Sequence, residues 1–124
     1  KRTKLKKKSK SPYRKAIDLA DRALQDWYRR EFKGTACESC GDPFDLMHHF
    51  FEKSRSSRLR FDEANLIFIC KKCHSLHHQF GDASVAARII QGRGLEWLES
   101  LLELKDEYYP LNIEIAQNMI KKYS

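Results

Sequence analysis

Apolar side chains recur at steps of three and four residues near the start of the chain. The positions are Ile17, Ala20, Leu24, Trp27 and Tyr28. This spacing puts one apolar stripe along a helix, which we predict over residues 12–33 and assign to core packing. Ser11 can cap the first turn, and proline is tolerated at the first helical position, where Pro12 lies. Gly34 follows the predicted end of the helix.

The helical pattern returns after residue 82. Asp82 or Ser84 can cap the first helix of this region, and Asn112 can cap the last one. Between them lies a strongly apolar helical segment, rich in leucine. We predict C-terminal helices over residues 83–123 that pack on the first helix and support the segment between.

That central segment, residues 35–80, has a different pattern. A short apolar run ends at His48 and His49, a long basic and polar stretch follows, and a second apolar run leads into Cys70. Residues 71–80 then have helical character. The order therefore predicted is strand, long loop, strand, helix.

All four cysteines of the chain lie in two pairs with the spacing CxxC. The pairs are Cys37 with Cys40 and Cys70 with Cys73. Each pair holds two thiolates on one tight turn, and two such turns complete a tetrahedron around Zn²⁺. We predict a structural zinc that is not catalytic, because four thiolates leave no open position. A disulfide or metal-free thiols are the alternatives.

The net charge of the chain indicates what kind of molecule it binds. The chain has 124 residues and a formal net charge of +7, which indicates a polyanion, with nucleic acid favoured over an acidic membrane surface. No apolar run approaches the ~20 residues that span a bilayer, and no signal-peptide pattern is present, so we expect a soluble intracellular protein. Residues 1–11 carry seven Lys or Arg and are predicted to be a disordered tail, either solubilising or phosphate-binding. Residues 12–124 are predicted to form one domain.

The histidines add a resemblance to a known family. His48–His49 after a first strand, Asn65 before a second and His74 after CxxC resemble the HNH (His-Me finger, ββα-metal) endonucleases. The four-residue step from His74 to His78 is similar to the HxxxH metal site of colicin nucleases, because positions four apart share one helix face. A longer stretch, through residues 12–80, resembles phage recombination endonucleases of the NinG (Rap) type.

The resemblance implies a role for each residue. His49 is the general base that takes a proton from water, with a pKa expected near working pH. Asn65 orients the loop or the His49 ring, unless it only caps a turn. The implied metal ligands are His48, His74 and His78, with His77 as the alternative to His78. The implied phosphate contacts are Lys53, Arg55, Arg58 and Arg60.

The roles of His74 and of the basic loop each have an alternative interpretation. His74 could instead serve the cysteine site, and the basic loop could be only a solvated face. Imidazole ligands favour Mn²⁺, Ni²⁺, Zn²⁺ or Co²⁺ over Mg²⁺, although Mg²⁺ remains a candidate.

The resemblance to HNH endonucleases implies both a fold and an activity. The fold is α+β and mostly helical, a ββα-metal hairpin-helix unit held by a four-cysteine zinc and flanked by an N-terminal helix and C-terminal helices. The implied activity is metal-dependent hydrolysis of phosphodiester bonds in DNA, leaving 5′-phosphate and 3′-hydroxyl ends, with RNA as the less favoured substrate. Phage recombination or DNA processing in a bacterial host cytoplasm is the expected setting, for a monomer or homodimer. A non-catalytic zinc module that binds nucleic acid is the alternative.

Overall fold

A computed structural model describes residues 9–124, so residues 1–8 of the predicted tail lie outside the described part. The first helix, α1, spans Pro12–Glu31. It begins where the sequence predicts, because the Ser11 hydroxyl accepts a hydrogen bond of 3.1 Å from the Arg14 backbone N–H. Four of the five stripe residues are buried, and Trp27 is half-buried. The buried ones are Ile17, Ala20, Leu24 and Tyr28.

The central segment forms a hairpin followed by a helix. Strand β1 (Leu46–His49) pairs antiparallel with β2 (Leu66–Ile69). The long loop between them ends in a 3₁₀ turn at Glu63–Asn65. Helix α2 (Lys71–Phe80) starts immediately after β2, with Cys70 as its N-cap. Since strand and helix are joined without a linker, the residues of α2 have a fixed position relative to the hairpin.

Three more helices complete the described chain. They are α3 (Ala83–Arg93), α4 (Leu95–Leu104) and α5 (Ile113–Lys122). Of the two candidate caps for α3, the Asp82 carboxylate accepts the bond from the Ser84 N–H at 2.9 Å. Asn112 caps α5 as predicted. No helix among residues 9–124 is both long and apolar enough to cross a bilayer.

The prediction that the C-terminal helices pack on the first helix is correct mainly for α5. Ala116 of α5 is buried against Ile17 and Ala20 of α1. Helix α3 packs instead on the other side of the hairpin, where Val85 and Ile89 join the cysteine region. The reason is that α3 presents its apolar face immediately after α2, so it closes on the nearest uncovered apolar surface.

The hairpin lies between these two groups of helices. Along β2, Ile67 and Ile69 face the cysteines and α3, whereas Leu66 and Phe68 face α1 and α5. Alternate strand residues point to opposite faces, so both faces of the hairpin are covered. The predicted fold class is confirmed: an α+β, mostly helical chain with a cysteine-bearing hairpin-helix unit, an N-terminal helix and C-terminal helices.

Candidate metal centre and active site

The four cysteines converge on one point beside β2 and the start of α2, on the side of the hairpin that α3 covers. Their sulfur atoms all lie within 4.8 Å of one another. All four are free thiols, and the Sγ atoms of Cys40 and Cys70 are 3.6 Å apart, well beyond the ~2.05 Å of a disulfide bond. Gly41 closes the first turn with φ of +85°, a conformation that favours glycine. The disulfide alternative is therefore not what the chain forms.

This donor set fits a zinc ion. Backbone N–H groups point at two of the sulfurs, from Ser39 to Cys37 at 3.4 Å and from Cys73 to Cys70 at 3.5 Å. Burial raises the pKa of the Cys73 thiol to about 12. A thiolate at that buried position therefore needs a compensating positive charge, which a four-coordinate divalent ion supplies.

A second cluster joins β1 to α2. One ring nitrogen from each of His48, His74 and His78 lies within 4.8 Å of the others. Nε2 of His78 is 3.2 Å from Nδ1 of His48. His74 thus lies with the histidines rather than with the cysteines. His77 is not part of this group, so the geometry favours His78 over His77.

The histidine cluster also fits a cation. His48 is buried, and its Nε2 has no hydrogen-bond partner in the described part of the chain. Burial and the neighbouring imidazoles lower the pKa of His48 to about 3, and burial lowers that of His74 as well. Neutral imidazoles keep a lone pair for a metal, and three of them suit a borderline-soft divalent ion.

His49 points to the other side of β1 from His48. It is 9 % exposed, and its Nε2 lies 2.8 Å from the backbone oxygen of Arg60. A carbonyl oxygen only accepts, so Nε2 carries the proton and Nδ1 keeps a free lone pair. Burial, reinforced by the charge of Lys53, lowers the pKa of His49 to about 4. The expected pKa near working pH is therefore wrong, because the ring is desolvated.

His49 and the three-histidine cluster open into one cavity of about 620 Å³. Its walls come from β1, α2, the loop after β1 and one face of α1. The histidines that line it are His48, His49, His74 and His78. A buried imidazole with a free ring nitrogen and a cluster of three potential metal ligands therefore share one water-accessible space.

Comparison with known families agrees with this geometry. Residues 37–80 match the family model described as HNH endonuclease. This segment is similar to an HNH domain. It contains both cysteine pairs, the hairpin and α2, and the match supports a nuclease-related function in general. No curated protein and no solved structure matches the chain significantly. The likeness to the NinG (Rap) branch and to the colicin metal site stays a prediction.

Asn65 holds the long loop of the HNH domain. It is fully buried, and its Oδ1 accepts a bond from the Phe51 N–H at 2.9 Å. Its Nδ2 donates to the backbone oxygens of Phe51 and Leu59, at 3.0 and 3.2 Å. Of the three predicted roles, these contacts favour orienting the loop, since the His49 ring is hydrogen-bonded to the Arg60 backbone oxygen instead.

The four basic residues of that loop do not form a single surface. Lys53 and Arg60 line the cavity, but Arg60 is buried and its guanidinium is paired with Asp21. Arg58 pairs with Asp62 at 3.3 Å, outside the cavity. Arg55 is 81 % exposed and also lies outside it. Lys53 is the one of the four that combines exposure with a place in the cavity wall.

Sequence reasoning missed the contribution of helix α1 to the cavity. Helix α1, which precedes the HNH domain, lines the cavity with polar side chains. They are Arg14, Asp18, Asp21 and Gln25. Their spacing of three or four residues shows that they share a helix face, but not what that face contacts. Glu52 was missed as well; its carboxylate lies 3.6 Å from Nδ1 of His78.

Proposed function

We propose that the protein is a metal-dependent endonuclease that hydrolyses phosphodiester bonds in DNA. One observation carries the proposal. His49, with a free Nδ1, and the cluster of His48, His74 and His78 line the same cavity within an HNH domain. A zinc module that only binds nucleic acid has no use for this combination.

In this proposal His49 is the general base. Its Nδ1 accepts a proton from the attacking water, while Nε2–H stays bonded to the Arg60 carbonyl. That bond fixes the tautomer and stabilises the imidazolium as it forms. With its pKa lowered to about 4, His49 is a modest base, but nearly every molecule holds it in the neutral, competent form at physiological pH.

The histidine cluster is the proposed site of the catalytic metal. His48, His74 and His78 would hold a divalent ion through their ring nitrogens. When bound, such an ion supplies positive charge to the scissile phosphate and to the leaving 3′ oxygen. The donor set favours Mn²⁺, Ni²⁺ or Zn²⁺, with Mg²⁺ the least suited because it prefers oxygen ligands.

Binding of DNA would be largely electrostatic. Lys53 lies in the cavity wall, beside His49, where a backbone phosphate would enter. Arg55, which is exposed outside the cavity, offers a separate positive charge for a second phosphate. Contacts of this kind neutralise phosphates without reading sequence, and a net charge of +7 supports them along a longer strand.

The four cysteines are proposed to hold a structural zinc. Cys37 and Cys40 precede β1, whereas Cys70 and Cys73 lie at the start of α2. A zinc ion there ties the beginning of the hairpin to the beginning of α2. Because His48 lies on β1 and the other two ligands lie on α2, this connection would preserve the spacing of the histidine cluster.

The biological setting is also a proposal. The resemblance to recombination endonucleases suggests DNA processing, in a phage or in its bacterial host. One chain contains the whole histidine cluster and His49, so a monomer suffices to nick one strand. Cleavage of both strands by a single site of this size would favour a homodimer.

The proposal is tested by incubating the purified protein with supercoiled plasmid, with branched and single-stranded DNA, and with RNA. Each substrate is tested after chelation and after return of Mn²⁺, Ni²⁺, Zn²⁺ or Mg²⁺. We expect DNA cleavage that stops in chelator and returns with Mn²⁺ at least as well as with Mg²⁺. Binding of DNA with no cleavage of any substrate in any metal would replace this proposal with the binding module.

A further inference from the structure

The polar face of α1 makes direct contacts with β1, the strand that carries His48 and His49. Gln25 lies one helical turn after Asp21, and both line the cavity. The side-chain amide of Gln25 binds the backbone of Met47 twice. Its Nε2 donates to the Met47 oxygen at 2.7 Å, and its Oε1 accepts from the Met47 N–H at 2.9 Å. Met47 is two residues before His49.

These two bonds satisfy backbone groups of β1 that the hairpin leaves unpaired. Among the described residues, β1 pairs with β2 alone, so its other edge carries backbone groups without a strand partner. Met47 is buried, and buried backbone N–H and C=O groups are costly when left unpaired. Gln25 supplies both partners, as a third strand would, and so fixes the edge of β1 next to the histidine pair.

Asp21 is connected to His49 indirectly, through Arg60. Its carboxylate is paired with the Arg60 guanidinium through two bonds, Nη2–Oδ2 at 2.5 Å and Nε–Oδ1 at 3.4 Å. The backbone oxygen of the same Arg60 accepts the hydrogen bond from His49. The Asp21 side chain is 16 % exposed and that of Arg60 is 10 %, so the pair is largely shielded from water.

Lys53 is tied to the same carboxylate. Its Nζ lies 3.6 Å from Oδ2 of Asp21. The Asp21 carboxylate therefore contacts two neighbours of His49, one that orients the ring and one that is proposed to meet a phosphate. Removing the Asp21 carboxylate leaves the largely buried Arg60 guanidinium without its partner and near a second cation, so both cations are expected to move.

We propose that Asp21 and Gln25, which lie on α1 outside the HNH domain, are positioning residues for His49. Asp21 fixes the Arg60 backbone and with it the His49 ring, and Gln25 fixes the strand that carries the ring. This inference rests on the proposed role of His49 as the base. It implies that residues 37–80 alone have the chemical groups but not the geometry for efficient cleavage.

The first test compares Asp21→Asn with Asp26→Asn in the full chain. Asp26 is on the same helix, is 59 % exposed and lies outside the cavity, so it receives the same chemical change without the contact. The readouts are single-turnover cleavage and the ¹⁵N signals of the His49 ring. We expect Asp21→Asn to lower the maximal rate ~10- to 100-fold and to shift the Nε2–H signal, with no change in Asp26→Asn.

The second test uses Gln25→Ala and measures hydrogen exchange at the Met47 amide. We expect exchange at least ~10-fold faster than in the parent protein, with the amides of α5 unchanged. This variant also serves if Asp21→Asn does not fold. Unchanged His49 signals in Asp21→Asn, or unchanged Met47 exchange in Gln25→Ala, would overturn the corresponding part of the proposal.

The tests distinguish failure of the proposed nuclease activity from failure of the positioning role of α1. If the parent protein cleaves no substrate, the proposed function fails, yet the ring signals and the amide exchange still report whether α1 positions His49. If the parent protein cleaves and Asp21→Asn cleaves equally well, the nuclease stands and the positioning role of Asp21 does not. Combining Asp21→Asn with Arg60→Gln is expected to cost no more than either change alone, because both act on one contact.

Discussion

Nε2 of His78 lies 3.2 Å from Nδ1 of His48, which brings helix α2 and strand β1 together at two imidazoles. Two imidazole rings in this position can share one proton in a hydrogen bond, or each can turn a lone pair to a common cation. His74, one turn before His78 on the same helix, supplies a third nitrogen within 4.8 Å. The relationship is the structural basis of the proposed metal site.

Removing His78 should abolish most of the affinity for a second divalent ion. We expect His78→Ala to weaken Ni²⁺ or Mn²⁺ binding by at least ~10-fold, which is ~1.4 kcal/mol. Calorimetric titration of protein that already holds its cysteine-bound metal measures this. His77→Ala is the matched control, one residue away on α2, and should bind within about twofold of the parent. A larger loss in His77→Ala than in His78→Ala would contradict the assignment.

Cysteine substitution should affect stability more than chemistry. Cys73→Ser removes one of the four proposed zinc ligands, and metal binding at four-cysteine sites contributes directly to folding. We expect bound zinc to fall from one to near zero per chain and the thermal midpoint to fall by at least ~10 °C. Elemental analysis and calorimetry measure both. A stable Cys73→Ser protein without zinc would show that the cysteines do not hold a structural ion.

Asn65 should be needed for stability. Asn65→Ala would leave the Phe51 N–H and two backbone oxygens without their bonds in a fully buried position. We expect a loss of ~3 kcal/mol in the free energy of unfolding, since each unsatisfied buried group costs ~1–3 kcal/mol. Asn118→Ala on the exposed face of α5 is the control and should change stability by less than ~0.5 kcal/mol. Equal denaturant midpoints for the two variants would argue against this role.

The depressed pKa of His49 has a consequence for acid stability. Its pKa is about 4 in the folded chain against an ordinary value of 6.5, so between these values the unfolded chain binds a proton that the folded chain excludes. The contribution of His49 is therefore neutral above pH 6.5 and becomes destabilising as pH falls towards 4. The slope is ~1.4 kcal/mol per pH unit.

The measurement compares the parent with His49→Gln at pH 7.5 and pH 5. We expect the parent to lose ~2 kcal/mol more than the variant over this interval, at a slope of ~1.4 kcal/mol per pH unit below pH 6.5. Zinc content is checked at both pH values, because the thiolates also bind protons in acid. Parallel pH profiles for the two proteins would show that His49 is not held neutral by burial.

Local patterns in the sequence were sufficient to predict much of the fold and the metal-binding groups. The apolar stripe of α1, the CxxC pairs and the four-residue step from His74 to His78 are all short-range features, whose geometry follows from helix and turn rules. The local geometry of these features does not depend on contacts between distant parts of the chain. The caps of α1 and α5 were predictable for the same reason.

Contacts between distant residues were not predictable from those patterns. Arg60 was assigned to phosphate binding because it lies in a basic stretch, but Asp21, 39 residues earlier, pairs with its guanidinium. Glu52 reaches His78 only because the loop folds back over α2. The expected pKa of His49 was wrong for a similar reason, since burial is set by tertiary packing and not by residue type.

The most direct test of the account is single-turnover cleavage of plasmid DNA in Mn²⁺ by the parent protein and by His49→Ala. The variant must keep its zinc, its circular dichroism and its affinity for DNA, so that only the base is missing. We predict a rate at least ~100-fold lower in His49→Ala, within the range for loss of a general base. A rate within twofold of the parent would contradict the claim that His49 activates the water.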